Sequence, residues 1–484
     1  MNFTILAGRL RTVKVLAWFA AHLICGLSTC LAQVTATWTG AGGDSNYNTA
    51  TNWDISQVPI NNLSDDYIVI IPTGQTVNFN VPGTGHEVFQ LTLASGSTLN
   101  INPGRDLAVV DASDIAGLLS TDNGTYVGNS AASILSGTSP RVLAQGGGTL
   151  RVGGTTLVNT SNVSDIVTAQ GPGSLADLST VLSINSDADF GGSPIRRIFA
   201  TDGGTVNLSN VTNIVGGRGG DSLRLEVANG GDLRLDKLQT ISGNRNVRIT
   251  SDGTPIALPM LQNIQAGVLF ELASGQSLSL PALTAIDGAG SNITTLLESP
   301  ANGSINATNL TTLNRTTLSV DSNRSVTTGT LADIDGSRFI IKGGKTFSSI
   351  SATSYNSSSY FGNGDFFLAD GNNSLLDLSS LTSLNFDQDF GGSPIYTIAA
   401  RNGGIVDLSE VTDIVGGRGA DSLRLETTTG GDLRLNKLQT ISGNRNVRIT
   451  SDGTPLALPL LQSIQGGVLF ELANGQILSL PQLV

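Results

Sequence analysis

Apolar and polar positions alternate along most of the chain, and the alternation is grouped into a recurring frame. Leu233-x-Leu235-x-x-Leu238-x-x-Ile241 returns as Val206-x-Leu208-x-x-Val211-x-x-Ile214 and as Leu278-x-Leu280-x-x-Leu283-x-x-Ile286. With one residue inserted it reads Ile256-x-Leu258-Pro-Met-Leu261-x-x-Ile264. Upstream of the frame each unit carries another alternating run, such as Leu223-Arg-Leu225-Glu-Val227, Val247-Arg-Ile249 or Val268-Leu-Phe-Glu-Leu272. A period of two predicts strands with one buried face. Asn229-Gly230, Asp252-Gly253 and Ser274-Gly275 separate the runs, and Gly and Asn accept the positive φ of a sharp corner. No unit has a window of helical period.

The closing apolar residue of the frame runs through Ile166, Ile184, Ile214, Ile241, Ile264, Ile286, Leu313, Ile334, Tyr355, Leu384, Ile414, Ile441 and Ile464, at spacings of 18 to 30 residues. A fixed apolar signature at such a period marks a solenoid, whose units bury their faces only by stacking. The expected fold is all-β, a parallel β-helix that is right-handed by the crossover rule. A leucine-rich horseshoe is the competing architecture, but the Asn column of that repeat is occupied here by Val211, Leu238, Leu261 and Leu283. A long duplication overlies the short units. Residues 175–283 recur at 375–483 with an offset of 200, and Gly230–Ala273 differs from Gly430–Ala473 at five positions.

Residues 33–72 differ from the repeats and read as an N-terminal cap on a β-helix of residues 73–484. Trp38 and Trp53 lie in this segment. They cover the first coil or, as a second reading, form an aromatic platform for carbohydrate. Trp38-x-Gly40, Asn52-Trp53, Asp66 and Gly74-x-Thr76-Val77 together resemble the start of large exported bacterial parallel β-helix repeat proteins, the autotransporter-passenger-like and adhesin-like surface proteins. The resemblance implies surface exposure and names no reaction. The leucine frame also resembles receptor L-domain-type β-helix repeats, without the disulfides of that type.

Residues 1–32 read as a secretory signal: Arg9, Arg11 and Lys14 precede an apolar stretch, and Cys30-Leu31-Ala32 is a small-x-small cleavage site. Both cysteines, Cys25 and Cys30, fall inside it, so the exported chain has no disulfide and no expected membrane span. Its loss moves the net charge from −12 to −15. So acidic a chain is a poor partner for nucleic acid or anionic membranes. The expected location is secreted or cell surface.

Candidate chemistry is sparse. His86 is the one histidine outside the signal, and it reads as a solvated loop residue. Zinc sites and His-dependent triads therefore lack their parts, and no catalytic residue is assigned. Asp187-Ala-Asp189 and Asp387-Gln-Asp389, each beside Phe-Gly-Gly, place two carboxylates where they can hold Ca²⁺, although the spacing is not that of an EF-hand. Arginine is concentrated in both long copies. Alternation points Leu223, Leu225, Val247 and Ile249 inward, so Arg224 and Arg248 stack outward on adjacent coils about 4.8 Å apart, with Arg197 next in the column. Arg424 and Arg448 repeat the arrangement. Such a stripe is either a solvated face balanced by Glu226, Asp221 and Asp236 or a binding surface for an acidic glycan or a carboxylate-rich surface protein.

The expected function is an exported non-enzymatic surface protein with a structural or adhesive role. A polysaccharide lyase or hydrolase and a calcium-dependent adhesion module are the alternatives. The second copy stops at Leu483-Val484, short of its closing position. The expectation is a fragment of a longer protein, or self-association through the C-terminal coil.

Overall fold

A computed structural model describes residues 31–484 except 129, 137–139, 160–164, 189–190, 218–220, 244–246, 266, 289–293, 296–302, 358–362, 389–392, 420, 444–446, 453, 455 and 474–475. Most of the expected signal therefore lies outside the described residues. The repeats form a parallel β-helix: every named strand pairing is parallel. The one helical element among the described residues is the 3₁₀ turn Ala50–Asn52.

A full coil has three strands. One coil carries Ile195–Thr201, Thr205–Asn207 and Asn213–Val215; the next carries Ser222–Ala228, Asp232–Arg234 and Thr240–Ser242. Each strand pairs with its counterpart one coil on, which builds three faces. The first face uses the longest strands, as a nine-stranded sheet from Thr76–Phe79 to Val268–Leu272 and an eight-stranded one from Thr294–Thr295 to Val468–Leu472. The third face links Ala285–Asp287 to Thr312–Asn314 and carries the stack past the undescribed residues 289–293 and 296–302. A leucine-rich horseshoe has one strand per repeat; here all three sides of a coil are strand.

The leucine frame follows the path of the second strand, a corner and the third strand. Val206 points in from the second face, Leu208 and Val211 fill the corner, and Ile214 points in from the third, all fully buried. Backbone bonds from Val211 to Leu208 and from Leu238 to Leu235, 3.0 and 3.1 Å, close equivalent turns. One expected member of the closing column is displaced. Ile166 belongs to the first-face strand Asp165–Gln170, and Leu157 is the residue under Ile184. The column continues below Leu157 through Leu135, with Ile115, Leu93 and Ile71 on the coils beneath. Tyr355 is in the column, paired with Leu384.

The Gly-Gly pairs at one corner have distinct duties. Gly230 has φ +75°, with open space where a side chain would stand. A Cβ on Gly231 would overlap the carbonyl of Ala200 on the coil below, and one on Gly431 that of Ala400. The first glycine makes the bend and the second lets coils stack at β spacing.

Residues 32–71 are joined to the same architecture. Ala32–Thr37 pairs with Asp65–Ile71, which pairs with Gln90–Leu93. Between them the chain folds over the first coil. Trp38 and Trp53 meet edge to face at 5.1 Å, Tyr47 meets Trp53 at 4.7 Å, and Phe79 of the coil beneath meets Tyr47 at 4.8 Å. Asn52, fully buried, accepts from Gly42 N and donates to Asp44 O, Asp44 Oδ1 and Asn46 O. The Trp-x-Gly and Asn-Trp pattern is thus explained by packing. Trp38 and Trp53 are 3% and 1% exposed, which overturns the aromatic-platform reading.

Candidate functional site: the first face and its trough

The first face carries the arginine stripe. Register places Asp165, Arg197, Arg224, Arg248 and Leu269 in one outward column on successive coils. Beside it run Thr168, Phe199, Glu226, Thr250 and Glu271. Leu223, Leu225, Val247 and Ile249 are fully buried on the other side, so the period-two expectation holds.

The guanidinium groups pair across coils. Arg197 Nε donates to Asp165 Oδ1 at 2.7 Å and its Nη1 lies 3.8 Å from Glu226. Arg224 lies 3.8 Å from Glu226 and 3.9 Å from Glu271, and Arg248 Nη1 donates to Glu271 at 2.9 Å. These side chains are 16–31% exposed. The hydrogen bond to Asp165 raises the Arg197 pKa, so it stays charged. The balancing acids therefore differ from those expected. Asp221 is fully buried, with Arg196 Nη2 3.4 Å from its Oδ2. Asp236 is exposed at a corner. Glu271 and Asp165 take their places, because pairing follows the ladder and not proximity in sequence.

The second copy repeats the ladder with changes. Arg424 lies 3.9 Å from Glu426, and Arg448 3.7 Å from Glu471. Thr397 stands where Arg197 does. Arg401, at the far end of the same strand, reaches Asp365 with two bonds of 2.9 Å and Glu426 with one of 2.6 Å. Burial opposes its charge, but these bonds outweigh it and the pKa is raised.

An unexpected feature lies at the lower edge of the first copy. Arg141 Nε donates to the Asp165 carbonyl at 2.9 Å, and Arg338 Nε donates to the Asp365 carbonyl at 2.6 Å. Both aspartates precede a register shift, at Asp165/Val167 and Asp365/Phe367. The duplication thus extends upstream of residue 175. In the first copy this region is a trough of about 240 Å³ lined by Arg141, Gln145, Asp165, Thr168, Gln170 and Arg197, with Phe199 at one end. Arg197 covers the Phe199 ring at 5.0 Å. Nothing in the leucine frame marks this place; the signal is an aromatic residue at an outward strand position.

The acidic loops are described in part. Asp189 and Asp389 lie outside the described residues. The Asp187 backbone donates to Asn185 Oδ1 at 2.9 Å, and the Asp187 charge supports that of Arg196. Asp387 accepts two bonds from Arg418, 2.9 and 2.7 Å. Among the described residues no group of three or more His, Cys, Asp or Glu side chains could hold a metal ion. His86 is not in a loop. It begins the strand His86–Val88, half-buried, 5.9 Å edge-on from Phe79 and 3.1 Å from Pro82 O. Among the described residues no helix is long and apolar enough to cross a membrane.

No family model matches this chain, and no curated protein and no solved structure matches it.

Proposed function

We propose that this is an exported, non-enzymatic surface protein whose β-helix serves as a stiff structural or adhesive element. One observation carries the reading: among the described residues one connected apolar core includes side chains from Ala36 to Leu461 and spans both long copies. Stacked coils that share one core bend only by breaking ladder bonds, so the product is a spacer that holds a surface at a fixed distance. Charges of the first face pair between neighbouring coils, as in Arg197–Asp165 and Arg248–Glu271, which ties successive coils together. The leader and the absence of cysteine after Cys30 suit an exported chain stabilised by its ladders.

Two measurements test it. Cell fractionation should find the chain outside the cytoplasm, and deletion of residues 1–32 should retain it inside. Small-angle scattering of the exported protein should give a rod with a constant cross-section. A compact particle, or a full-length chain kept in the cytoplasm, would refute the reading.

A further inference from the structure

The geometry points to the trough on the first face as a binding site for a neutral, hydroxyl-rich oligosaccharide. This goes beyond the spacer reading, since a spacer needs no ligand. The floor of the trough is Leu143 and Thr168, stacked in register. One wall is Arg141, Asp165 and Arg197, and the other is Gln145 and Gln170, also in register. The Arg197–Phe199 pair closes one end. Toward the cap the floor column continues as Ser120, Asn100 and Asn78, whose side chains are linked by hydrogen bonds. A ligand lying here meets amide groups repeated at the coil spacing of about 4.8 Å.

The chemistry selects the class. The planar amides of Gln145 and Gln170 each offer a donor and an acceptor that suit adjacent hydroxyls, and the Leu143 side chain on the floor suits the C–H face of a sugar ring. A polyanion is disfavoured. Arg197 already serves Asp165 and Glu226, and Arg141 Nε serves the Asp165 carbonyl. At about 240 Å³ the trough is below the roughly 300–1,000 Å³ of sites that enclose drug-sized molecules. It therefore fits one ring of a chain that continues along the rod.

The second copy supplies the contrast. Gln145, Thr168, Gln170, Phe199 and Thr201 correspond in register to Lys342, Leu368, Asp370, Ala399 and Arg401. Arg401 stretches from the Gln170 side to Asp365 and Glu426, so its side chain crosses the position that the trough occupies in the first copy. The difference is concentrated on one strand. Ile195–Thr201 and Ile395–Arg401 differ at four of seven positions, while Val247–Ser251 and Val447–Ser451 are identical.

The test is calorimetric titration of the exported full chain with cellohexaose, maltohexaose and laminarihexaose, with polygalacturonate as the anionic probe. At least one neutral hexasaccharide should bind. Gln145→Ala with Gln170→Ala should weaken it at least tenfold, as should Phe199→Ala with Thr201→Arg, which imports the second copy's crossing arginine. The melting temperature monitors folding. If the strand swap unfolds the protein, the glutamine pair, whose side chains lie on the surface, still decides. No binding by any neutral probe, binding indifferent to the glutamine pair, or binding of polygalacturonate alone would overturn the proposal. Rod dimensions from scattering are independent of all these outcomes, so failure here leaves the spacer reading standing.

Discussion

Arg401 and Asp365 are joined by two hydrogen bonds of 2.9 Å although they stand at opposite edges of the first face. In the first copy the equivalent Asp165 is served by Arg197 from the near edge. The same carboxylate is held by arginines from two positions of the same strand, 197 and 401.

This yields a rescue experiment. Arg401→Ala leaves Asp365 and Glu426 without their shared cation. Bonds to charged groups contribute about 1.5–3 kcal/mol, reduced at partly exposed sites, so the expected loss is about 1–2 kcal/mol. Adding Thr397→Arg should recover half or more of it, because that is the first copy's arrangement. Urea midpoints of the single and double variants measure this, and additive losses would show that the two positions do not substitute for one another.

Much of this face was legible in the sequence, and the reason is periodicity. Alternation fixed the inward set, and a constant strand register then put Arg224 over Arg248. The partners were not legible. Glu271 reaches both Arg248 and Arg224 from one and two coils further on, and the coils differ in length. The lower limit of the duplication was hidden for a similar reason. Arg141 and Arg338 are offset by 197, and Asp165 and Asp365 by 200, so a gapless comparison loses the match. Ile166 mimics the closing residue because Thr156-Leu157-Val158, which holds the true one, has no leucine frame before it. The trough depends on which outward side chains are short, and no repeat pattern encodes that.

Acid stability should report on Asp407. Burial works against its charge, but bonds from Ser409 and Arg434 outweigh this and hold its pKa below the usual value. The unfolded chain then binds the proton more tightly, near the reference of about 3.9. The stabilisation is fully present above that value and is lost as pH falls through the folded pKa. Asp407→Asn installs the first copy's residue, Asn207, which donates to Asp177 at 2.9 Å. The variant should stay within about 1 kcal/mol at pH 7 and lose less stability below about pH 4. Parallel stability curves for the two proteins would remove Asp407 from the acid response.

The Gly-Gly corner predicts an order of effects. Gly230→Ala puts a side chain into open space at φ +75°, at a cost of about 1–2 kcal/mol. Gly231→Ala drives a methyl into the Ala200 carbonyl and requires adjacent coils to part. It should cost clearly more and expose nearby amides to hydrogen exchange on both coils. Equal costs, or exchange confined to the corner, would mean that coil spacing does not select the second glycine.

The two copies also solve one buried problem differently. In the first, Arg196 and Asp221 are both fully buried, 3.4 Å apart, and burial lowers the arginine pKa against the opposing pull of Asp221 and Asp187. In the second, Tyr396 stands in place of the arginine with its hydroxyl 3.5 Å from Asp421. Around it Phe366 packs at 4.8 Å and Phe386 at 6.1 Å, where the first copy has Ile166 and Ser186. Removing one partner of a buried pair costs about 3–5 kcal/mol, whereas replacing the arrangement by well-packed groups is often neutral or stabilising. Arg196→Ala should therefore be severe, because it removes a fully buried cation 3.4 Å from the buried Asp221 carboxylate. Arg196→Tyr with Ser186→Phe and Ile166→Phe carries over the second copy's packing and should recover most of the loss. Chemical denaturation of the single and triple variants decides it. If the triple variant is no more stable than Arg196→Ala, the surrounding backbone of the first copy, and not the side-chain set, is what requires the ion pair.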